Sequence, residues 1–212
     1  MTTFGAMKTA IARRLLDADN TAVTLVEIGE AINDAVSFWK KKRFWFNETS
    51  ADLTIASGDS TVTLPADYLM EIPRNAITIT DGGSTYQVKK VSPSFFDGIA
   101  GDEATGRPVV YTSRDGALEF YPEANQAYTG KLYYMKDYND FTTAGAQDSL
   151  DNDFLVEAPG LIQNHALANL HGELRQDEKM EDRYTSRTNM EYDNLRARTN
   201  RILRTGTLTV EQ

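Results

Sequence analysis

Apolar residues recur at helical spacing near both ends of the chain and at every second position in between. Phe4, Met7, Ile11 and Leu15 share one face, and Thr2 or Thr3 is placed to accept a backbone N–H, so a helix is expected over about residues 3–17. After the polar break Ala18-Asp19-Asn20, the string Thr24-Leu25-Val26-Glu27 has capping-box spacing and starts a second helix. Leu25, Ile28, Ala31, Ile32, Ala35 and Trp39 form its apolar face, and Glu27, Glu30 and Asp34 lie away from it. The run Lys40-Lys41-Lys42-Arg43 sits where the negative end of that helix dipole favours cations.

From Ala51 the period changes to two. Leu53/Ile55, Val62/Leu64, Ile77/Ile79, Tyr86/Val88, Leu118/Phe120 and Leu132/Tyr134 alternate with polar neighbours, as half-buried strands do. Ser57-Gly58-Asp59, Asp81-Gly82-Gly83 and Asp115-Gly116 are turns, the last two with hairpin chemistry. Ser94-Phe95-Phe96-Asp97 reads as a short helical turn. The pattern predicts about six to eight short antiparallel strands between residues 51 and 135, in an order that pattern alone leaves open. Helical spacing then returns. Leu161, His165, Ala168 and Leu170 share a face behind Pro159, which suits a first helical turn. A kink near Gln176-Asp177 leads to a last helix over about residues 180–204, with Tyr184, Leu195 and Ile202 on one side beside Thr188 and Thr199, and Gly206 ending it.

The expected fold is therefore α+β. A helical bundle from residues 1–50 and 150–205 carries a central antiparallel β-rich insertion, 51–149, and ends in a tail, 206–212. Trp39 and Trp45 mark the structural junction where the helical pattern gives way to strands, and both should be mostly buried there.

Composition narrows the classes of function. The chain has 212 residues, of which 41% are hydrophobic and 25% charged, the balance of an ordinary folded protein. It contains no cysteine, which removes disulfides, thiol nucleophiles and Cys-based metal sites and fits a reducing compartment. The opening Met1-Thr2-Thr3-Phe4-Gly5 lacks a basic segment followed by an apolar stretch, and no apolar run reaches membrane-span length, so a soluble protein without a membrane partner is expected. Its 22 Lys+Arg against 31 Asp+Glu leave a formal charge of −9. That balance argues against a protein that wraps nucleic acid, whose affinity comes mainly from neutralised phosphates.

Catalytic patterns are scarce. His165 and His171 are six apart on a helix and point in different directions, so helix packing explains them better than a shared metal. No Gly-x-Ser-x-Gly elbow, phosphate loop or dinucleotide fingerprint occurs. Carboxylates are plentiful, but a glycosidase pair depends on a spatial separation that a sequence does not show. The acidic string Asp148-Ser149-Leu150-Asp151-Asn152-Asp153 lacks EF-hand spacing and reads as solvated acids and a helix cap. Asn47-Glu48-Thr49 matches a glycosylation acceptor without a secretory context. No catalytic residue, metal ligand or cofactor is assigned.

Two surface patterns remain. Trp39-Lys40-Lys41-Lys42-Arg43-Phe44-Trp45-Phe46-Asn47 interleaves cations with aromatics, which suits either a packed junction or a stacking platform for single-stranded nucleic acid. On the last helix, Arg183, Arg187, Asn194, Arg198 and Arg201 fall in an arc of roughly 60° beside the apolar stripe. Such a stripe suits a partner's acidic surface. The plainer alternative is a solvated face with pairs such as Arg187 and Glu191, which stabilise by only a few tenths of a kcal/mol.

Read in order, several strings resemble the head-to-tail adaptor (connector) proteins of short-tailed bacteriophages. They are Thr3-Phe4-Gly5-Ala6-Met7, Phe38-Trp39 through Phe44-Trp45-Phe46-Asn47-Glu48, and Leu64-Pro65-Ala66-Asp67-Tyr68. Further along come Gly106-Arg107-Pro108-Val109-Val110-Tyr111, Leu118-Glu119-Phe120-Tyr121-Pro122, and Phe154-Leu155 before Ala158-Pro159. Each is turn and packing chemistry; their order carries the resemblance. It implies a virion protein assembled in the host cytoplasm, a homo-oligomeric ring of twelve beneath the portal protein. That ring would receive the tail nozzle protein and pass double-stranded DNA through its channel. Twelve copies at −9 each would carry −108 formal charges, and a channel lined by part of that charge would repel DNA. Some relatives are credited with cell-wall hydrolysis, but no motif here carries that role. Another virion or tail structural protein and a peptidoglycan hydrolase are the alternatives. The expected portal or subunit interface is Arg183, Arg187, Arg198 and Arg201, together with Leu208 and Val210, which alternate as an edge strand does in the tail.

Overall fold

The computed structural model describes residues 2–15, 23–73, 75–101, 104–142 and 147–205, with side chains to residue 203. The chain opens with two helices, α1 (Phe4–Arg14) and α2 (Leu25–Trp39). Among the described residues ten strands follow: β1 (Glu48–Ile55), β2 (Thr61–Thr63), β3 (Tyr68–Glu71), β4 (Ile77–Asp81), β5 (Ser84–Lys90), β6 (Thr105–Gly106), β7 (Val110–Arg114), β8 (Ala117–Tyr121), β9 (Glu123–Ala124) and β10 (Tyr128–Lys136). A short helix, α3 (Pro93–Ile99), lies between β5 and β6. The chain closes with α4 (Asp153–Glu157), α5 (Pro159–Asn169), a π turn (Leu170–Leu174) and the long α6 (Glu178–Thr205). It divides into two compact units, Met1–Asn47 with Tyr138–Gln212, and Glu48–Asp137.

In the helical unit, local chemistry starts each element. The Thr3 hydroxyl accepts from Ala6 N–H, and Thr24 and Glu27 complete the capping box in both directions. Ile28, Ala31, Ile32, Ala35 and Trp39 of α2 are buried, but Leu25 is exposed because its place at the first helical position carries it past the packed face. The α5 helix touches α1, α2, α4 and α6, and its buried residues Leu161, Ile162, Asn164, Ala166, Leu167 and Ala168 go almost all the way round it. It is the axis of this unit. Phe4, Met7, Ile11, Leu15, Phe44 and Phe154 complete the core, and the Phe4 ring stacks on Phe141 at 4.6 Å.

Residues 147–150 lie along the start of α1. Phe4 N–H donates to Leu150 O at 2.8 Å and Gly5 N–H to Asp148 O at 2.9 Å. A β-carbon on Gly5 would stand 2.8 Å from Asp148 Cβ, so only glycine permits this approach. Lys8, 3% exposed, pairs with the Asp148 carboxylate above the Phe4 ring.

In the other unit the predicted alternation faces one core: Leu53, Ile55, Ile77, Ile79, Val88, Leu118, Phe120, Leu132 and Tyr134 are all buried in it. Gly82-Gly83 joins β4 to β5 and Asp115-Gly116 joins β7 to β8. All four residues have positive φ, the two-residue turn that matches strand twist.

A helical bundle with an antiparallel β insertion is nevertheless the wrong description of the fold. The middle of the chain is an eight-stranded mixed sheet, ordered β1-β10-β4-β5-β7-β8-β2 with β3 also on β10, curled nearly closed like a barrel. β5 pairs with β7 in parallel, as β6 does with β9. Period-two alternation reports which face a residue occupies and says nothing of strand direction. The connection from Lys90 to Val110, which contains α3, is long enough to bring β7 back alongside β5 in the same sense. Near-closure follows from β10, which pairs with β1, β4 and β3, and from β1 lying beside β2, so that the sheet's two edges approach.

Candidate docking surface

The aromatic junction is built inward from its backbone. Past α2 the chain turns sharply, and Asn47, fully buried, holds the turn from inside. Its amide oxygen accepts from Phe44 N–H at 2.9 Å, and its amide nitrogen donates to Lys42 O at 2.8 Å and Lys40 O at 3.4 Å. These bonds satisfy carbonyls that the end of a helix leaves open. They also occupy the nitrogen a glycan would need. Trp39 is buried, its indole Nε1 donating to His165 Nδ1 at 2.8 Å and its ring lying 5.0 Å from Tyr192. Phe44 is fully buried against Phe46, Phe154 and Tyr192. These rings are spent on packing, which removes the stacking-platform reading of the junction. Trp45 is half-buried, with the Arg198 guanidinium 4.3 Å from its ring centre.

The last helix presents the larger surface. Tyr184, Thr188, Leu195 and Thr199 face inward, and the Thr188 hydroxyl donates to Tyr184 O at 2.9 Å. Of the expected interface arginines, Arg183, Arg198 and Arg201 are exposed and Arg187 is half-buried, its guanidinium 5.6 Å from the Tyr184 ring centre. Two of the four therefore rest on aromatic rings at the edge of the core. Ile202, expected on the buried stripe, is exposed, as is Met190. Leu208 and Val210 lie outside the described residues, as does Gly206. Sequence reasoning missed Arg196, which is also exposed. The signal was present: residues 194–205 contain Arg196, Arg198, Arg201 and Arg204 and no acid, in a chain of net charge −9. Cations at this end also complement the helix dipole.

Both histidines pack in the helical unit. His165 is half-buried between Trp39 and Phe38, and burial pushes its pKa down against the opposing charge of Asp34. His171 is buried against Tyr184, and burial followed by the Arg175 charge pushes its pKa down.

The β-rich unit holds a carboxylate-centred cluster beside a cleft of about 490 Å³ lined in part by Glu71, Lys90 and Tyr111. Tyr111 donates to Glu71 Oε2 at 2.5 Å, and Lys90 pairs with Oε1 of the same carboxylate. Burial and the Glu71 carboxylate push the Tyr111 pKa up, so the phenol remains a donor. With both oxygens engaged, Glu71 pins β3 to β5 and β7. Nearby, Tyr134 donates to Asp67 at 2.8 Å, its pKa pushed up to about 12 by burial and by that bond. Among the described residues no group of three His, Asp or Glu side chains is placed to hold a metal ion. Among the described residues no helix is long and apolar enough to cross a membrane.

The geometry offers a cationic helix face on an acidic protein. A family model described as SU10 adaptor protein matches residues 2–210. No curated protein matches the sequence.

Proposed function

Because the chain belongs to the SU10 adaptor protein family, and is thereby a structural adaptor of a phage virion that associates with other head–tail proteins, we propose that it forms a ring under the portal, extends the DNA channel and docks the tail nozzle. The observation that supports this reading is the arginine-bearing outer face of α6, which is free of acids over residues 194–205. A protein of net charge −9 that gathers exposed arginines on one helix end has a surface suited to an acidic partner rather than to its own average surface. Arg183, Arg187, Arg198 and Arg201 make the contact with the portal or with a neighbouring subunit, and Leu208 and Val210 extend it as an added strand. The remaining acidic surface, repeated around a twelve-membered ring, keeps DNA from adhering to the channel.

Binding to isolated portal rings tests this. Replacing the four arginines by glutamine should weaken portal binding and flatten its salt dependence, with the fold retained by circular dichroism. Unchanged affinity and salt dependence would make the stripe a solvated face. Native mass spectrometry of the portal complex should show twelve copies; another stoichiometry would refute the ring as described.

A further inference from the structure

The helix that begins at Pro159 does not end cleanly. Over Leu170–Leu174 it widens into a π turn, in which Arg175 N–H reaches back five residues to Leu170 O at 3.2 Å. Single π turns inside helices occur frequently at functional sites. The chain then reverses at Gln176, whose φ of +52° is a left-handed conformation that a residue with a β-carbon seldom adopts.

His171 sits at the centre of this turn. It is 4% exposed, and neither ring nitrogen has a hydrogen-bond partner. Buried polar groups are nearly always paired, so an imidazole left unpaired on both sides calls for a reason. Its ring lies on Tyr184 of α6, with centres 5.5 Å apart and planes at 16°. The charged groups that act on it are Arg175 and Asp177, both beside the turn. A β-carbon on Gly172 would stand 2.7 Å from the Glu181 carboxyl carbon, so that carboxylate presses on the residue next to His171. Arg187 lies over the Tyr184 ring.

The backbone links the same residue to the start of α6. The His171 carbonyl accepts from Asp177 N–H at 3.0 Å, and Asp177 caps the helix. Its carboxylate accepts from Met180 N–H at 3.1 Å and its carbonyl from Glu181 N–H at 2.9 Å. Movement of His171 is therefore passed to the cap.

We propose that His171 is a proton-operated latch on α6: neutral, it holds the first turns of that helix to the π turn through Tyr184; protonated, it releases them. A proton taken from solvent converts the ring's remaining acceptor nitrogen into a second donor, and the packed position offers it no acceptor. The charged ring is drawn outward toward Asp177, the stack on Tyr184 opens, and the carbonyl supporting the cap moves with it. Burial and Arg175 lower the affinity for that proton, which keeps the latch closed at neutral pH. This inference does not depend on the docking reading.

Hydrogen exchange of the full chain tests it, comparing wild type with His171→Phe, which keeps a flat ring on Tyr184 and takes no proton. After correction for intrinsic exchange, protection of amides 171–188 in the wild type should be flat above the ordinary histidine value of 6.5 and fall below it, by up to about tenfold per pH unit as one proton is taken up. The phenylalanine variant should hold its neutral-pH protection throughout. If it loses protection as the wild type does, or if wild-type protection is flat, the proposal fails. Should the variant not fold, NMR titration of the wild type decides. A His171 midpoint below 6.5 that shifts the Tyr184 ring resonances in step supports the latch, and a midpoint at or above 6.5 overturns it.

Discussion

The indole Nε1 of Trp39, near the end of α2, donates a 2.8 Å hydrogen bond to Nδ1 of His165, in the middle of α5, across 126 positions of sequence. Because Nδ1 accepts, His165 is neutral and carries its proton on Nε2. One bond thus fixes both the ring's tautomer and the contact between two helices of the same core.

Removing the donor should be costly. Trp39→Phe leaves the imidazole acceptor unpaired and trims a large buried side chain, for a loss of about 2–4 kcal/mol in denaturant unfolding. His165→Gln, which offers the indole another acceptor, should lose less. Equal losses would show that the hydrogen bond contributes little beyond packing.

Acidification should destabilise the helical unit. The native pKa values of His165 and His171 both lie below the ordinary 6.5, so the unfolded chain binds protons more readily than the native one. Stability is fully present above 6.5 and is lost as the pH falls from there through the lowered native values. Unfolding midpoints between about pH 8 and 5 check the sign, and a His165→Gln, His171→Phe double variant should remove most of the slope.

Gly130 of β10 pairs with Leu53 on one side and Ile79 on the other, and a β-carbon there would collide with Thr78 O and stand 2.9 Å from Ile79 Cα. The obstacle is backbone, so it cannot swing aside. Gly130→Ala should destabilise the β-rich unit by about 1–3 kcal/mol or more. Both tryptophans lie in the helical unit, so far-UV loss of strand signal should precede any change in tryptophan fluorescence. Coincident wild-type-like transitions would contradict the close approach.

Asn47→Ala should remove three hydrogen bonds around the end of α2 and leave buried backbone groups unsatisfied, at a cost of about 2–3 kcal/mol. Asn47→Asp keeps the acceptor for Phe44 N–H but sets a carboxylate against two carbonyls, and should be no better. Thermal unfolding measures both, and an Ala variant with a wild-type midpoint would exclude the role.

Lys8 and Asp148 offer a further contrast. Asp148→Ala leaves a nearly buried ammonium without its partner, whereas Lys8→Met removes the charge and keeps the stem over Phe4. The first should lose about 2–4 kcal/mol and the second clearly less. The reverse order in urea unfolding would refute that account.

What the sequence determined by itself is what lies within a few residues. The capping box at Thr24 and Glu27, the alternation of Leu53/Ile55 or Ile77/Ile79, and the turns at Gly82-Gly83 and Asp115-Gly116 each express one local geometry. The solvent side of α6 was legible only in part, because helix angle follows from residue number but Ile202, read as facing inward, is exposed and Arg187 is half-buried. The tertiary structure alone decided the parallel β5–β7 pairing, the near-closure of the sheet around β10, the burial of Asn47, and which arginines rest on Trp45 and Tyr184. It also decided the π turn around His171, whose unpaired ring is held by a tyrosine thirteen residues away. The physical reason is common to all of these. Spacing along a helix or strand fixes where a side chain points, but what it meets depends on chain segments brought together by loop closure, whose free energy is spread over the whole fold.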